Sequence, residues 1–209
     1  MSPKDELSRR LSEHVVIGAG DATTGAQAIA PDHSPRPDQR NLDLPARSAL
    51  KDLGLQHQVE QFLYHQAELL DGKHWQAYID LFAEDGVYWA PIVPEQTDWT
   101  DSPSIFAEDK SLMSIRMGRV THPNAWSQAP MWSTHHMVGN VVIESVSDQE
   151  WVVRSRFQMM ELRRDNVRHF GGTYRHTLAR AGSDFEIKLQ RVDIMNSQAP
   201  YDYVLQVWV

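Results

Sequence analysis

Residues 59–91 read VEQFLYHQAELLDGKHWQAYIDLFAEDGVYWAP, and their pattern decides the fold. Val59, Phe62, Leu63, Leu69 and Leu70 recur near helical spacing, which predicts an amphipathic helix. Asp71-Gly72 is expected to end it, with glycine supplying the left-handed conformation that many helix ends need. Trp75, Tyr78, Ile79 and Phe82 repeat the three- and four-residue steps, predicting a second helix that stops at Asp85-Gly86. Val87-Tyr88-Trp89 then opens a strand.

From Met137 onward the period changes to two. Trp151, Val153, Ser155, Phe157 and Met159 share one strand face, with Arg154, Arg156 and Gln158 on the other. Phe185, Ile187 and Leu189 alternate with Glu186, Lys188 and Gln190, and a last strand is expected through Tyr203, Leu205 and Val207. Turn signals at Ser147-Asp148, Asp165-Asn166 and Gly182-Ser183 divide these strands into antiparallel hairpins. Between the two regions the expectation is a loop from Pro94 to Pro103, a third helix within 104–119 carrying Leu112, Ile115 and Arg116, and a break at His122-Pro123-Asn124. Helices followed by a long meander give an α+β domain over residues 51–209, its curved, mostly antiparallel sheet wrapped around the N-terminal helices. Residues 1–50, with Pro3, Pro31, Pro35, Pro37 and Pro45 and no sustained periodicity, read as an extended arm that gains order against another chain.

Composition narrows the function. The 209 residues carry a net charge of −8, which argues against a broad nucleic-acid-binding face. No apolar run approaches the roughly 20 residues of a membrane span, and MSPKDELSRR has no apolar core behind it, so a cytoplasmic protein is expected. Seven tryptophans and six tyrosines suggest extensive core or interface area. The absence of cysteine excludes disulfides, thiolate nucleophiles and a Rieske centre, which needs two cysteines with its two histidines.

These motifs resemble the small (β) subunit of aromatic-ring-hydroxylating dioxygenases, the Rieske non-haem iron oxygenases. Phe62, Leu63, Tyr64, Ala67, Leu69, Leu70, Asp71, Trp75, Leu81, Phe82, Asp85, Tyr88, Trp89 and Pro91 match that family's N-terminal signature, while Gln66 replaces its usual Glu. Downstream, His136–Val141, Val153–Phe157, Gly172–Leu178 and Lys188–Asp193 follow the family's strand motifs in order. His176 stands where an acid is common, and Asp193 fits loosely. The resemblance implies the cone-shaped fold shared with nuclear transport factor 2 and scytalone dehydratase. It also implies a non-catalytic, structural β subunit in an α3β3 hexamer, with other β subunits as neighbours. The catalytic α subunit would carry the Rieske cluster and the mononuclear iron, and this chain no cofactor, catalytic residue or metal site.

Several residues invite other readings. Tyr64, Asp80, His136 and Tyr174 are the acid–base groups that a stand-alone cone-fold lyase or isomerase would use, or else buried hydrogen-bonding partners joining sheet to helices. Val15–Gly20 imitates a dinucleotide loop, but Thr23 occupies the third glycine position and the prolines from 31 to 37 forbid the helix that must follow. His135 and His136 must face opposite ways on a strand, as must His169 and His176, so no two-His-one-carboxylate metal set emerges. Arg154, Arg156, Arg163, Arg164, Arg168 and Arg175 form either a solvated sheet face or pairs with a neighbour's acids.

Overall fold

The computed structural model describes residues 53–126, 131–201 and 203–209. The readings placed on residues 1–50, the arm and the Val15–Gly20 loop, lie outside them. Helix α1 (Leu53–Asp71) buries Val59, Phe62, Leu63, Gln66, Leu69 and Leu70 along one face. Its end corrects the expectation for Gly72. Lys73 takes the left-handed conformation (φ 58°), His74 N–H bonds Leu69 O at 2.8 Å and Lys73 N–H bonds Leu70 O at 3.1 Å. This is a Schellman end with lysine at the position glycine usually holds. Gly72 is needed for room, since a Cβ there would stand 2.7 Å from the His74 ring.

Helix α2 (Trp75–Asp80) is shorter than expected, because strand β1 (Phe82–Pro91) begins before Asp85-Gly86. Phe82 is already paired with Ile187, and Leu81 O accepts from Ile187 N–H at 2.8 Å. Asp85-Gly86 therefore lies in a register irregularity rather than at a helix end, with Gly86 so close to Ile187 O that a Cβ would sit 2.5 Å away. The third helix is also shorter. Strand β2 (Ser104–Asp109) comes first, and Asp109 caps α3 (Lys110–Val120) by accepting from Leu112 N–H at 2.8 Å. An N-cap carboxylate satisfies an orphan amide and fixes where the helix starts.

The remaining strands are β3 (Ser133–Val146), β4 (Glu150–Arg163), β5 (Asn166–Ala181) and β6 (Asp184–Ile194). The sheet order is β2-β1-β6-β5-β4-β3, antiparallel throughout except between β1 and β6. Trp151, Val153, Ser155, Phe157 and Met159 all bury on the inner face of β4, as the period-two reading requires. In β6 that reading holds only to Ile187. Thr177 pairs with Leu189 but Leu178 pairs with Ile187, leaving Lys188 as an extra residue. The bulge inverts the face, so Gln190, Val192 and Ile194 turn inward and Leu189 does not. The last predicted strand does not form either. Residues 203–209 join no strand, yet Leu205, Val207, Trp208 and Val209 are buried. Together the helices, the curved sheet and this segment enclose one core.

Two glycines test this geometry in opposite directions. A Cβ on Gly172 would lie 2.0 Å from Asp193 O, so Gly172→Ala should destabilise the fold by about 1–3 kcal/mol. Gly118, inside α3, meets nothing within 4 Å, and Gly118→Ala should stabilise by about 0.5–1 kcal/mol. Urea or thermal unfolding of both variants is the measurement.

Candidate functional site

The inner face of the sheet collects the buried polar groups. Tyr174 and His176 project from β5, Gln190 from β6, Ser155 from β4 and Tyr88 from β1, and Tyr78 enters from α2. Tyr78 O–H donates to Gln190 Oε1 at 2.9 Å. His176 and Gln190 stand directly opposite across the β5–β6 ladder. Both His176 ring nitrogens, Gln190 Nε2 and Ser155 Oγ are buried with no hydrogen-bond partner. Burial pushes the Tyr78, Tyr88 and Tyr174 phenols above their ordinary value and lowers the His176 imidazole to about 3. At neutral pH all four are uncharged. None is poised near 7, where a general acid or base works best.

The constellation Tyr64, Asp80, His136 and Tyr174 does not assemble. Tyr64 is 39% exposed on α1, and Asp80 faces solvent, accepting from Gln76 Nε2 at 2.9 Å. Helical geometry explains both: each directly follows a buried residue, Leu63 and Ile79, and so turns about 100° away from the core. His136 and Tyr174 are buried as expected, but the acid beside His136 is Asp71. Asp71 Oδ1 lies 2.6 Å from His136 Nδ1, and Asp71 Oδ2 accepts from His136 backbone N–H at 2.8 Å. Burial raises the Asp71 carboxyl, but these hydrogen bonds outweigh it and hold it below the ordinary carboxylate value. With both oxygens engaged, the carboxylate orients a strand.

The histidines obey strand parity. His135 and His169 are exposed, His136 and His176 buried. Among the described residues no three His, Asp or Glu side chains converge on a point that could hold a metal. The arginines resolve mostly within the chain. Glu144 receives Arg154 Nε at 2.8 Å and Arg175 Nη2 at 2.9 Å. The fully buried Glu161 pairs with Arg168, whose guanidinium also lies 3.6 Å over the Tyr203 ring and donates to Tyr203 O at 3.0 Å. Arg156 bonds the Thr173 hydroxyl, and Arg163 stacks on Tyr203 at 5.0 Å.

Sequence reading marks Asp71 only as a helix breaker and a signature match, without its bond to β3, and it misses the inward turn of Gln190 and the burial of Trp208. The Lys188 bulge hides Gln190. Trp208 was out of phase with the strand expected through Leu205 and Val207.

Two tests follow from this interior. His176 is neutral when folded but gains a proton when unfolded below about pH 6.5, so its contribution is lost as pH falls from about 6.5 toward 3. Wild-type thermal stability should drop across that window by on the order of a few kcal/mol, and His176→Leu should flatten the profile. Asp71→Ala should cost about 1–3 kcal/mol by stranding His136 donors, whereas Asp80→Ala should change stability by less than about 0.5 kcal/mol; chemical denaturation of both checks this.

Known proteins agree with this architecture. The family profile described as "Ring hydroxylating beta subunit" matches residues 65–200. Biphenyl 2,3-dioxygenase subunit beta of Rhodococcus jostii is 28% identical over 158 residues, spanning 71% of this chain and 84% of that protein. Toluate 1,2-dioxygenase subunit beta of Pseudomonas putida is 28% identical over 154 residues, 71% of this chain and 92% of that one. Among solved structures, the beta subunit of benzoate 1,2-dioxygenase from Burkholderia mallei superposes with a TM-score of 0.59 at 25% identity, covering 74% of this chain and 97% of that one. A scytalone dehydratase-like protein from Novosphingobium aromaticivorans shares the fold at a TM-score of 0.54 and 18% identity, over 74% and 91% of the two chains. A match across so much of the chain, on this cone of helices and curved sheet, makes the protein a member of the ring-hydroxylating β-subunit family.

Proposed function

We propose that this chain is the structural, non-catalytic β subunit of the terminal oxygenase of an aromatic-ring-hydroxylating dioxygenase, supporting the assembly of catalytic α subunits in aromatic compound degradation. The observation that carries the reading is the interior. Where a cone-fold enzyme would need a titrating pair, this chain buries neutral phenols, an uncharged imidazole and its own segment Leu205–Val209. The rival reading as a lyase or isomerase loses two of its residues, because Tyr64 and Asp80 face outward.

The finer assignments belong to the same proposal. The assembly is an α3β3 hexamer in the cytoplasm, the Rieske cluster and the mononuclear iron reside in the α subunit, and this chain binds no cofactor and offers no catalytic or metal-ligating residue. No helix among the described residues is long and apolar enough to cross a membrane. The outer face supports a partner role. Residues of β3, β4 and β5 and the stretch 193–199 border an open groove of about 1290 Å³, where Met137, Met160 and Met195 are exposed. Exposed apolar area of this kind is what a subunit interface covers. Residues 51–209 form the cone domain and residues 1–50 an arm that lies across a neighbouring subunit.

Co-expression with a Rieske-type large subunit should give a stable complex in which all iron accompanies the large subunit. Near-stoichiometric iron on the purified β chain, or failure to associate, would overturn the proposal. Deleting residues 1–45 should weaken association, read by light scattering, more than it lowers the thermal midpoint of the cone.

A further inference from the structure

Residues 203–209 enter the core without joining the sheet. Arg168 fixes the start of the segment at Tyr203, Val204 is 74% exposed, and the chain then turns inward. The Trp208 indole lies 5.2 Å from the Tyr78 ring at a tilt of 41° and 6.5 Å from Tyr88. Its Nε1–H donates to Glu108 Oε2 at 2.9 Å, and Arg116 holds the other Glu108 oxygen. Val209 N–H donates to the Tyr88 hydroxyl at 3.0 Å. The recess is thus built by α2, β1, β2 and α3, while its occupant comes from a segment with no ladder of its own.

The occupant is held as a ligand is held. A planar bicyclic ring lies against aromatic walls, and one directional hydrogen bond reaches a buried carboxylate fixed by a guanidinium. A second observation points the same way. Gln190, which accepts from Tyr78 O–H, and His176, opposite it across the β5–β6 ladder, are fully buried, and Gln190 Nε2 and both His176 ring nitrogens have no partner, so the inner face holds hydrogen-bonding capacity that the segment leaves unused.

We propose that the recess around Tyr78, Tyr88 and Glu108 is a binding site for a planar aromatic molecule bearing one N–H or O–H donor, and that Leu205–Val209, led by Trp208, is its resident and displaceable occupant. The site goes beyond the assembly role and does not depend on it. An aromatic of this class competes with the chain's own indole, and binding releases the segment downstream of the Tyr203 anchor.

The test uses the full chain, in complex with its large subunit if the two co-purify, and indole as the probe. Trp208→Gly should lower the thermal midpoint by on the order of 10 °C, and millimolar indole should recover at least half of that loss saturably. Naphthalene, similar in outline but without a donor, should bind the variant about tenfold more weakly by calorimetry. Equal binding of the two, or no recovery by indole, would overturn the site. Hydrogen exchange on the wild type tests displacement separately and serves if the glycine variant does not fold. Indole should speed exchange at Trp208 and Val209 and leave β4 and β5 unchanged. Unaltered exchange at saturating indole would show the segment to be fixed core and end the proposal.

Discussion

The clamp between Asp71 and His136 is the contact on which the rest of the domain leans. Strand β3 is a sheet edge fourteen residues long, and an edge of that length leaves a row of amide and carbonyl groups in need of partners. Helix α1 supplies two of them. Asp71 at its end accepts from His136 N–H, and Gln56 near its start donates to Val141 O at 3.1 Å. The helix therefore runs antiparallel to the strand and is pinned near both ends. Hydrogen bonds to a charged group contribute roughly 1.5–3 kcal/mol, more than neutral ones. Once α1 is pinned, Phe62 and Leu63 have only one place to go, the inner face of the sheet, where Phe62 meets Phe185 edge to face at 5.7 Å. A helix end with a lysine in the left-handed conformation is the strain accepted to aim Asp71 at the strand.

Much of the fold was legible in the sequence, because its elements obey simple periods. The apolar face of α1 and the alternation through β4 translated directly into burial. What escaped was local and had local causes. Asp109 at an N-cap turned the front of an expected helix into a strand. The Asp85-Gly86 stretch looked like a helix end, yet close approach to Ile187 O makes it part of a strand irregularity. The extra residue at Lys188 reversed the facing of everything after it in β6. A pattern of period two carries no mark of the point at which it skips. The candidate site was less legible than the fold. Residue type alone groups Tyr64 and Asp80 with His136, whereas helical rotation turns both away from the core.

The two irregularities in β1 and β6 face one another and have a joint effect. Phe82 and Val87 on β1 pair with Ile187 and Leu189 on β6, so the extra residues of both strands fall in the same stretch of their shared parallel ladder. Beyond it, Tyr88 and Gln190 come opposite each other, both fully buried, and Tyr78 reaches Gln190 from α2. One coupled bulge thus converts an ordinary apolar layer into the polar centre of the core. It also sets Tyr88 beside the recess that Trp208 fills.

The covered edge has a consequence for how copies of this fold meet other chains. Strand addition needs a run of free backbone groups along an edge. On β3 the helix already takes groups at His136 and Val141, and Asn140 breaks the run with a left-handed backbone (φ 51°). On the opposite side β2 offers only six residues before its capped helix. With two groups of the long edge taken, its run interrupted and the other edge short, lengthening of the sheet from molecule to molecule is disfavoured. Association is routed to side-chain surfaces, where shape and charge select the partner, and away from backbone pairing, which any extended peptide can imitate.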